Sequence, residues 1–213
     1  MREANRLLTI WHRKTLKNQD FCVVSNDCWG AEVYHYFDRG YNTPFIGLFL
    51  MAPCYVELLE NFHLIHSELH FVSSSKYTQR NEQRHAKNNF YPIGILGKDI
   101  EIHFLHYSSE EEARSKWERR LERMNFENLF FKFDGAKDEA TDELINRFCN
   151  LKYEGKLCLV KVANVSQPEV VVCKDWEVDG AKMFRKSIRK FSITKWLNDR
   201  RLAQPSWIGR FLP

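Results

Sequence analysis

Short apolar runs of strand length alternate with helical patterns along most of this chain, and that alternation admits few architectures. "FCVV" (Phe21 to Val24) reads as a buried strand, being short, partly β-branched and stopped by Ser-Asn-Asp. "AEVYHYF" (Ala31 to Phe37) follows as a helix ending near Gly40. After the apolar run "FIGLFL", Pro53 suits the first turn of a helix through Val56, Leu59, Phe62 and Ile65, and "LHFV" closes that unit. The polar stretch from Ser73 to Asn89 has almost no apolar content and reads as a long loop or a partly ordered lid. "YPIGIL" and "IEIHFL" flank "GKD" as a hairpin, with Ile100, Ile102 and Phe104 on one face and Glu101, His103 and Leu105 on the other.

The clearest helix spans Ser109 to Met124. Ser109 and Glu112 make a capping box, Glu110/Arg114 and Glu112/Lys116 are i,i+4 pairs, and Ala113, Trp117, Leu121 and Met124 form the buried stripe. "LFFKF", a helix carrying Ala140, Leu144, Ile145 and Phe148, "LCLVKV" and "EVVV" continue the alternation. The pattern calls for an α/β fold in which a mixed β-sheet is flanked by helices. A chain of 213 residues can form one compact unit, with room for two α/β lobes, 19–107 and 108–175, a site between them, and a helical tail over 180–213.

Charge is uneven. From Gly180 onward nine basic residues (Lys182, Arg185, Lys186, Arg189, Lys190, Lys195, Arg200, Arg201 and Arg210) face one acid, Asp199. That +8 within a chain of net charge +4 leaves the rest mildly acidic. The tail interleaves its cations with Met183, Phe184, Ile188, Phe191, Ile193, Trp196 and Leu197, ahead of "SWIGRFLP". Such a segment packs its apolar stripe on the body or makes a peripheral contact with an anionic membrane. Nucleic acid is not expected as a partner, because the acidic body offers no companion patch. The first twenty residues lack the apolar core of a secretory signal, and no run approaches membrane-spanning length. A cytoplasmic protein is expected, with the inner membrane surface as its furthest reach.

The six cysteines, Cys22, Cys28, Cys54, Cys149, Cys158 and Cys173, show no C-x-x-C pair and read as reduced thiols. Cys28 stands apart. In "SNDCWG" it falls just past a strand and ahead of a helix, where α/β folds place their ligands. A thiol at a helix N-terminus is expected to have a lowered pKa. The alternative is a small core residue behind an Asn-Asp cap, which is the ordinary fate of a free cysteine.

A nucleophile also needs a base. His35 is about 10 Å along the same helix and a poor partner. His103 and His106, in "EIHFLHY", are the candidates, with His103 preferred because its face also carries Glu101. Asn26 or Asp27 can orient the imidazole or donate to an oxyanion, a Cys, His and Asn logic of acyl transfer. Ser25, Asp27, Trp29 and Tyr107 flank these positions as candidate substrate contacts. His63, His66 and His70 look like a helix end and not a metal site, so neither metal nor cofactor is expected. Asp134, in "FDGAKDEATDE", offers a second reading as a cation and nucleotide-sugar site, or simply as an acidic first helical turn. No dinucleotide-binding, P-loop or serine-hydrolase motif is present.

"CVVSNDCWGAEVYHYF", "YNTPFIGLFL", "YPIGIL", "IEIHFLHYSSEEEARSKWERR" and "NLFFKF" together resemble an uncharacterised bacterial domain-of-unknown-function family often labelled exopolysaccharide biosynthesis protein. The resemblance rests on Ser25, Asn26, Cys28, Trp29, Gly30, Tyr41, Pro44, Gly47, His103, His106, Tyr107 and Trp117, and it brings no established catalytic residues. It implies work on a surface glycan or its sugar precursor. Around "FDGAKDEATDE" the chain departs from the family pattern, which weakens the nucleotide-sugar role of Asp134. The functional expectation is therefore a Cys-dependent acyl transferase or hydrolase of glycan biosynthesis. The alternatives are a glycosyltransferase-like nucleotide-sugar binder and a noncatalytic assembly factor at the membrane surface.

Overall fold

Two β-sheets of opposite character organise the chain in the computed structural model, which describes residues 2–162 and 164–205. In chain order, α1 (Arg2–Thr15), β1 (Cys22–Ser25), α2 (Trp29–Phe37) and α3 (Ala52–Glu60) precede β2 (His70–Val72), α4 (Thr78–Ala86), β3 (Ile93–Leu96) and β4 (Ile100–His103). Then come α5 (Glu110–Leu121), β5 (Leu129–Asp134), α6 (Asp142–Asn150), β6 (Lys156–Val160), β7 (Val170–Val172), α7 (Gly180–Ser187) and α8 (Ile193–Asp199). Strands β1-β5-β6-β7 form a sheet that is parallel throughout, and β2-β3-β4 form an antiparallel one. The fold is thus α/β with mixed strand pairing and flanking helices, the two kinds of pairing being segregated into separate sheets.

The parallel sheet is covered on both faces, which explains its near-continuous apolar strands. Cys22, Val24, Phe131, Phe133, Cys158 and Val160 point into one cluster, shared with α3, α5, α6 and the antiparallel sheet. Phe21, Val23, Phe130, Leu157 and Leu159 point into the other, against α2, α7 and α8. Because β1 pairs with β5 from Cys22↔Leu129 to Ser25↔Lys132, a division at 107/108 does not follow the sheets.

The 180–213 segment, as far as residue 205, is part of this core. Met183, Phe184, Phe191, Ile193, Trp196 and Leu197 are all buried, and Trp196 Nε1 donates to the Gly155 carbonyl at 3.1 Å. Its apolar stripe therefore faces the sheet, so this stripe is not a free membrane contact. The "SWIGRFLP" end lies outside the described residues.

Local chemistry accounts for the boundaries. Ser109 caps α5 by accepting from Glu112 N at 3.2 Å, and Ala113 and Trp117 are buried as the stripe requires. Gly97 opens the β3–β4 turn at φ 61°, a left-handed conformation that favours glycine. The α3 helix stops at Glu60 and resumes as a 3₁₀ turn over Phe62–His66, short of the single helix expected through Ile65. The larger departure is Ser73 to Asn89, expected as a loop or lid, which contains α4.

Candidate functional site

The carboxyl ends of β1 and β5 lie side by side, and each delivers an acid to the same spot. Asp27 follows β1, Asp134 ends β5, and Lys132 rises between them, fully buried in a strand whose other residues are mostly apolar. Lys132 Nζ is 2.7 Å from Asp27 Oδ1 and 3.8 Å from Asp134 Oδ2. Lys137 reaches the same pair from the solvent side, 2.9 Å from Asp27 Oδ2 and 3.8 Å from Asp134 Oδ2. Ser25 Oγ and Trp29 N also donate to Asp27 Oδ1, at 3.0 and 3.2 Å.

Burial alone would raise the pKa of Asp27, but Lys132 and Lys137 outweigh it and hold the carboxyl far below its ordinary value. Asp134 goes the other way: burial, reinforced by the charge on Asp27, raises it despite the lysines. Its Oδ1 accepts from Trp176 Nε1 at 3.0 Å. With two ammonium groups and an indole around it, Asp134 is committed inside the protein and does not present the open carboxylate that the nucleotide-sugar reading supposed. Lys137 keeps its charge firmly, since Asp27, Asp134 and Asp138 more than offset its burial.

Above this centre opens a cleft of about 530 Å³, a size that suits a small-molecule ligand. Asp27, Cys28 and Lys137 form its floor, His106 one side, and Arg80 and Arg84 of α4, with Lys87 just past the helix end, another. Cys28 is the N-cap of α2 and, unlike the other five cysteines, is only partly buried. Its Sγ lies 3.5 Å from His106 Nε2. The approach of α7 shapes this corner: a Cβ on Gly180 would sit 2.8 Å from Trp29 N and 3.0 Å from the Cys28 carbonyl carbon, so only glycine fits.

The helix terminus does not produce the lowered thiol pKa expected of it. Burial, with the Asp27 charge adding to it, pushes Cys28 up to about 11, and Lys137 and Lys132 offset only part. At pH 7 the neutral thiol therefore predominates. Reaction at this sulfur therefore needs proton removal during attack, which a base at hydrogen-bond distance can supply.

His106, not the preferred His103, is that base candidate. Strand β4 is buried on both faces, so His103 is sealed inside, its Nε2 2.7 Å from Glu101 Oε1 and its ring stacked on Phe49 at 4.4 Å. Burial lowers the pKa of His103, and nearby Arg80 and Arg84 act in the same direction against Glu101. Past His103 the chain leaves the strand, and His106 N donates to the Gly47 carbonyl at 2.9 Å, which sets its imidazole over the cleft.

The Glu101–His103 pair serves α4 instead. Glu101 accepts from Ser75 Oγ and, at 2.9 Å, from Lys76 N, fixing the segment that leads into that helix. Burial would raise its pKa, but His103, Ser75 and the Lys76 amide leave it lowered. Phe49, which lines the cleft in front of His103, also carries the Arg80 guanidinium, 5.2 Å from the ring centroid.

The remaining sequence candidates divide sharply. Asn26 is fully buried and accepts from Asp134 N at 2.8 Å, stitching β1 to β5, so it does not reach the cleft as an oxyanion donor. Trp29 is buried against Phe184 and Trp196 and donates to Ser187 Oγ at 2.9 Å. Tyr107 donates to the Ile46 carbonyl at 2.5 Å and accepts from Arg120 at 2.6 Å. Ser25 acts through Asp27. Of the eight named positions, the structure brings Asp27, Cys28 and His106 together at the cleft.

Sequence reasoning missed Lys132, Lys137, Arg80, Arg84 and Lys87. Two signals were available: a lysine inside the apolar run "LFFKF", and basic residues at 80, 84 and 87, a spacing that places them on one helical face.

Comparison with known proteins finds a family match over residues 3–198, to the family described as "Domain of unknown function (DUF1919)". A protein of Haemophilus influenzae described as uncharacterized is 34% identical over 146 residues, which is 68% of this chain and 64% of that relative. The chain thus spans under two thirds of that relative's length. No helix among the described residues is long and apolar enough to cross a membrane.

Proposed function

The chain belongs to the DUF1919 family, and from that premise we propose that it is a cleft enzyme of surface glycan biosynthesis that transfers or hydrolyses an acyl group through Cys28. The observation that carries this reading is the 3.5 Å approach of Cys28 Sγ to His106 Nε2 at the floor of the cleft. The glycan assignment is supported by the sequence resemblance alone.

The chemistry follows from the pair. His106 Nε2 takes the thiol proton as Sγ attacks the carbonyl carbon of an acyl ester or thioester donor. The tetrahedral intermediate collapses to an acyl-Cys28 thioester, and the leaving alcohol or thiol departs with the proton from His106. A sugar hydroxyl, or water, then gives its proton to His106 and attacks the thioester, which restores the Cys28 thiol. Lys137, the cation fixed beside the thiol, is placed to favour the negative charge that develops.

The test is covalent trapping. Incubation with simple acyl esters and thioesters followed by peptide mapping should show the acyl mass on Cys28. Cys28→Ala should abolish both label and turnover while leaving the melting curve almost unchanged. A folded Cys28→Ala protein that keeps full activity would sink the proposal.

A further inference from the structure

The cleft has an electrostatic polarity that the Cys28 chemistry does not use. Its acids on the α2 and α7 side, Glu32 and Asp179, face a wall made by α4. On that wall the charge of Arg80 is taken by Asp138, with which it forms an ion pair. Among the described residues, Arg84 and Lys87 have no carboxylate partner. Arg84 stands in the last turn of α4 and Lys87 caps its C-terminus, so both cations lie at the same end of the helix.

Arg84 is held ready. It is only 7% exposed. Its Nη1 donates to the Ser73 carbonyl at 3.1 Å and its Nη2 to the Tyr91 carbonyl at 3.0 Å, and the guanidinium lies 5.1 Å from the Tyr91 ring centroid. Among the described residues its buried Nε–H has no hydrogen-bond partner. A buried guanidinium with neither a counter-charge nor a full set of acceptors is costly to maintain. A ligand anion in the cleft supplies the missing counter-charge, and because the side chain is already immobilised, little further entropy is lost on binding.

We propose that Arg84 and Lys87 bind the diphosphate of an activated substrate, leaving the rest of that substrate to extend along the cleft toward Cys28 and His106. A planar guanidinium matches two phosphate oxygens side by side, and the neighbouring ammonium supplies a second point charge for the adjoining phosphate. This deepens the reading of the same cleft as a glycan-precursor site, since sugars are activated as diphosphates of a nucleoside or of an isoprenoid lipid. The shared chemistry is the diphosphate, and the two sources are separable by experiment.

Isothermal titration calorimetry on the full chain, with melting curves in parallel, should use inorganic pyrophosphate, UDP, geranyl diphosphate and uncharged uridine. All three diphosphates should bind and raise the melting temperature, weakening as salt is added, while uridine should not. Tighter binding of UDP than of the other two would identify a nucleoside source, and tighter geranyl diphosphate a lipid source. Lys87→Glu, at an exposed position that leaves the fold intact, should weaken pyrophosphate about 10- to 100-fold. Arg84→Gln should do the same, with Arg84→Lys recovering part if the charge is what matters. Cys28→Ala should bind as tightly as the parent, which keeps this test independent of the acyl-transfer reading. Absence of binding at millimolar diphosphate, or affinity unchanged by Lys87→Glu, would overturn the proposal.

Discussion

The floor and the α4 wall of the cleft handle charge in opposite ways. On the floor, Lys132, Lys137, Asp27 and Asp134 pair among themselves in a space closed on one side by Trp29 and Trp176. On the wall, Arg84 and Lys87 carry charge that no carboxylate among the described residues answers. Buried ion pairs seldom add net stability over an apolar core, but they penalise any arrangement that separates the partners. The floor therefore fixes where β1, β5 and the start of α2 stand, and with them Cys28. The wall, carried by a short polar helix and its C-cap, is where the proposed diphosphate binds. The contrast separates charges that pair within the site from charges left for the proposed ligand.

The largest way to break this comparison is Lys132→Met. Removing one partner from the floor leaves Asp27 and Asp134 buried with Lys137 alone, and urea unfolding should show a loss of about 3–5 kcal/mol. A loss under about 1 kcal/mol would mean that the floor is not a structural lock. Gly180→Ala comes next. The added Cβ meets backbone at 2.8 Å and must push α7 away from Cys28. A cost of about 1–3 kcal/mol is expected, with a changed Cys28 alkylation rate as the local readout.

A gentler effect tests the support behind the wall. The folded pKa of His103 is depressed below the ordinary 6.5, so its contribution to stability is complete above that pH. As pH falls below 6.5 the unfolded chain takes up a proton that the folded one refuses, and stability declines until the folded pKa is passed. Glu101, also depressed, adds a loss of the same sign below its ordinary 4.5. Denaturation midpoints followed from pH 7 to 4 in parent and His103→Gln should show a shallower decline in the variant. Equal slopes would contradict the sealed state of His103. The smallest expected effect is Lys87→Glu on stability, within about 0.5 kcal/mol, and a larger loss would mean that Lys87 has a structural role.

What could be read from the residues followed the periodicities. β1, the β3–β4 hairpin and the cap at Ser109 each carry a local signal and form where it lies, and the α5 stripe does so through Ala113 and Trp117, the helix ending at Leu121, short of the expected Met124. Cys28 at the N-cap of α2 was legible in the same way, from a strand stop followed by a helix start. Helix α4 was not, because it is polar almost all round and buries only Arg84, so no apolar period marks it.

The thiol's electrostatics were hidden for another reason: the raised pKa comes from burial and from a neighbouring acid, which outweigh a favourable helix terminus only in three dimensions. The choice between the two histidines failed on a similar point. Alternation correctly put Glu101 and His103 on one face, but both faces of β4 are covered, and His106 reaches the cleft because the strand has already ended. Lys132 was the strongest unread clue, since a lysine within a buried strand requires a partner, and its partners define the floor.

The central claim is that Cys28 reacts through His106 and not as a preformed thiolate. The direct test is the rate of Cys28 acylation by p-nitrophenyl acetate between pH 5 and 10, located by peptide mapping, in the parent and in His106→Ala. At pH 7 the variant should be slower by about 100-fold or more, retaining only a rate that climbs with pH toward the thiol's own ionisation near 11. Equal rates in the two proteins across that range would contradict the account and leave Cys28 a bystander at the floor of the cleft.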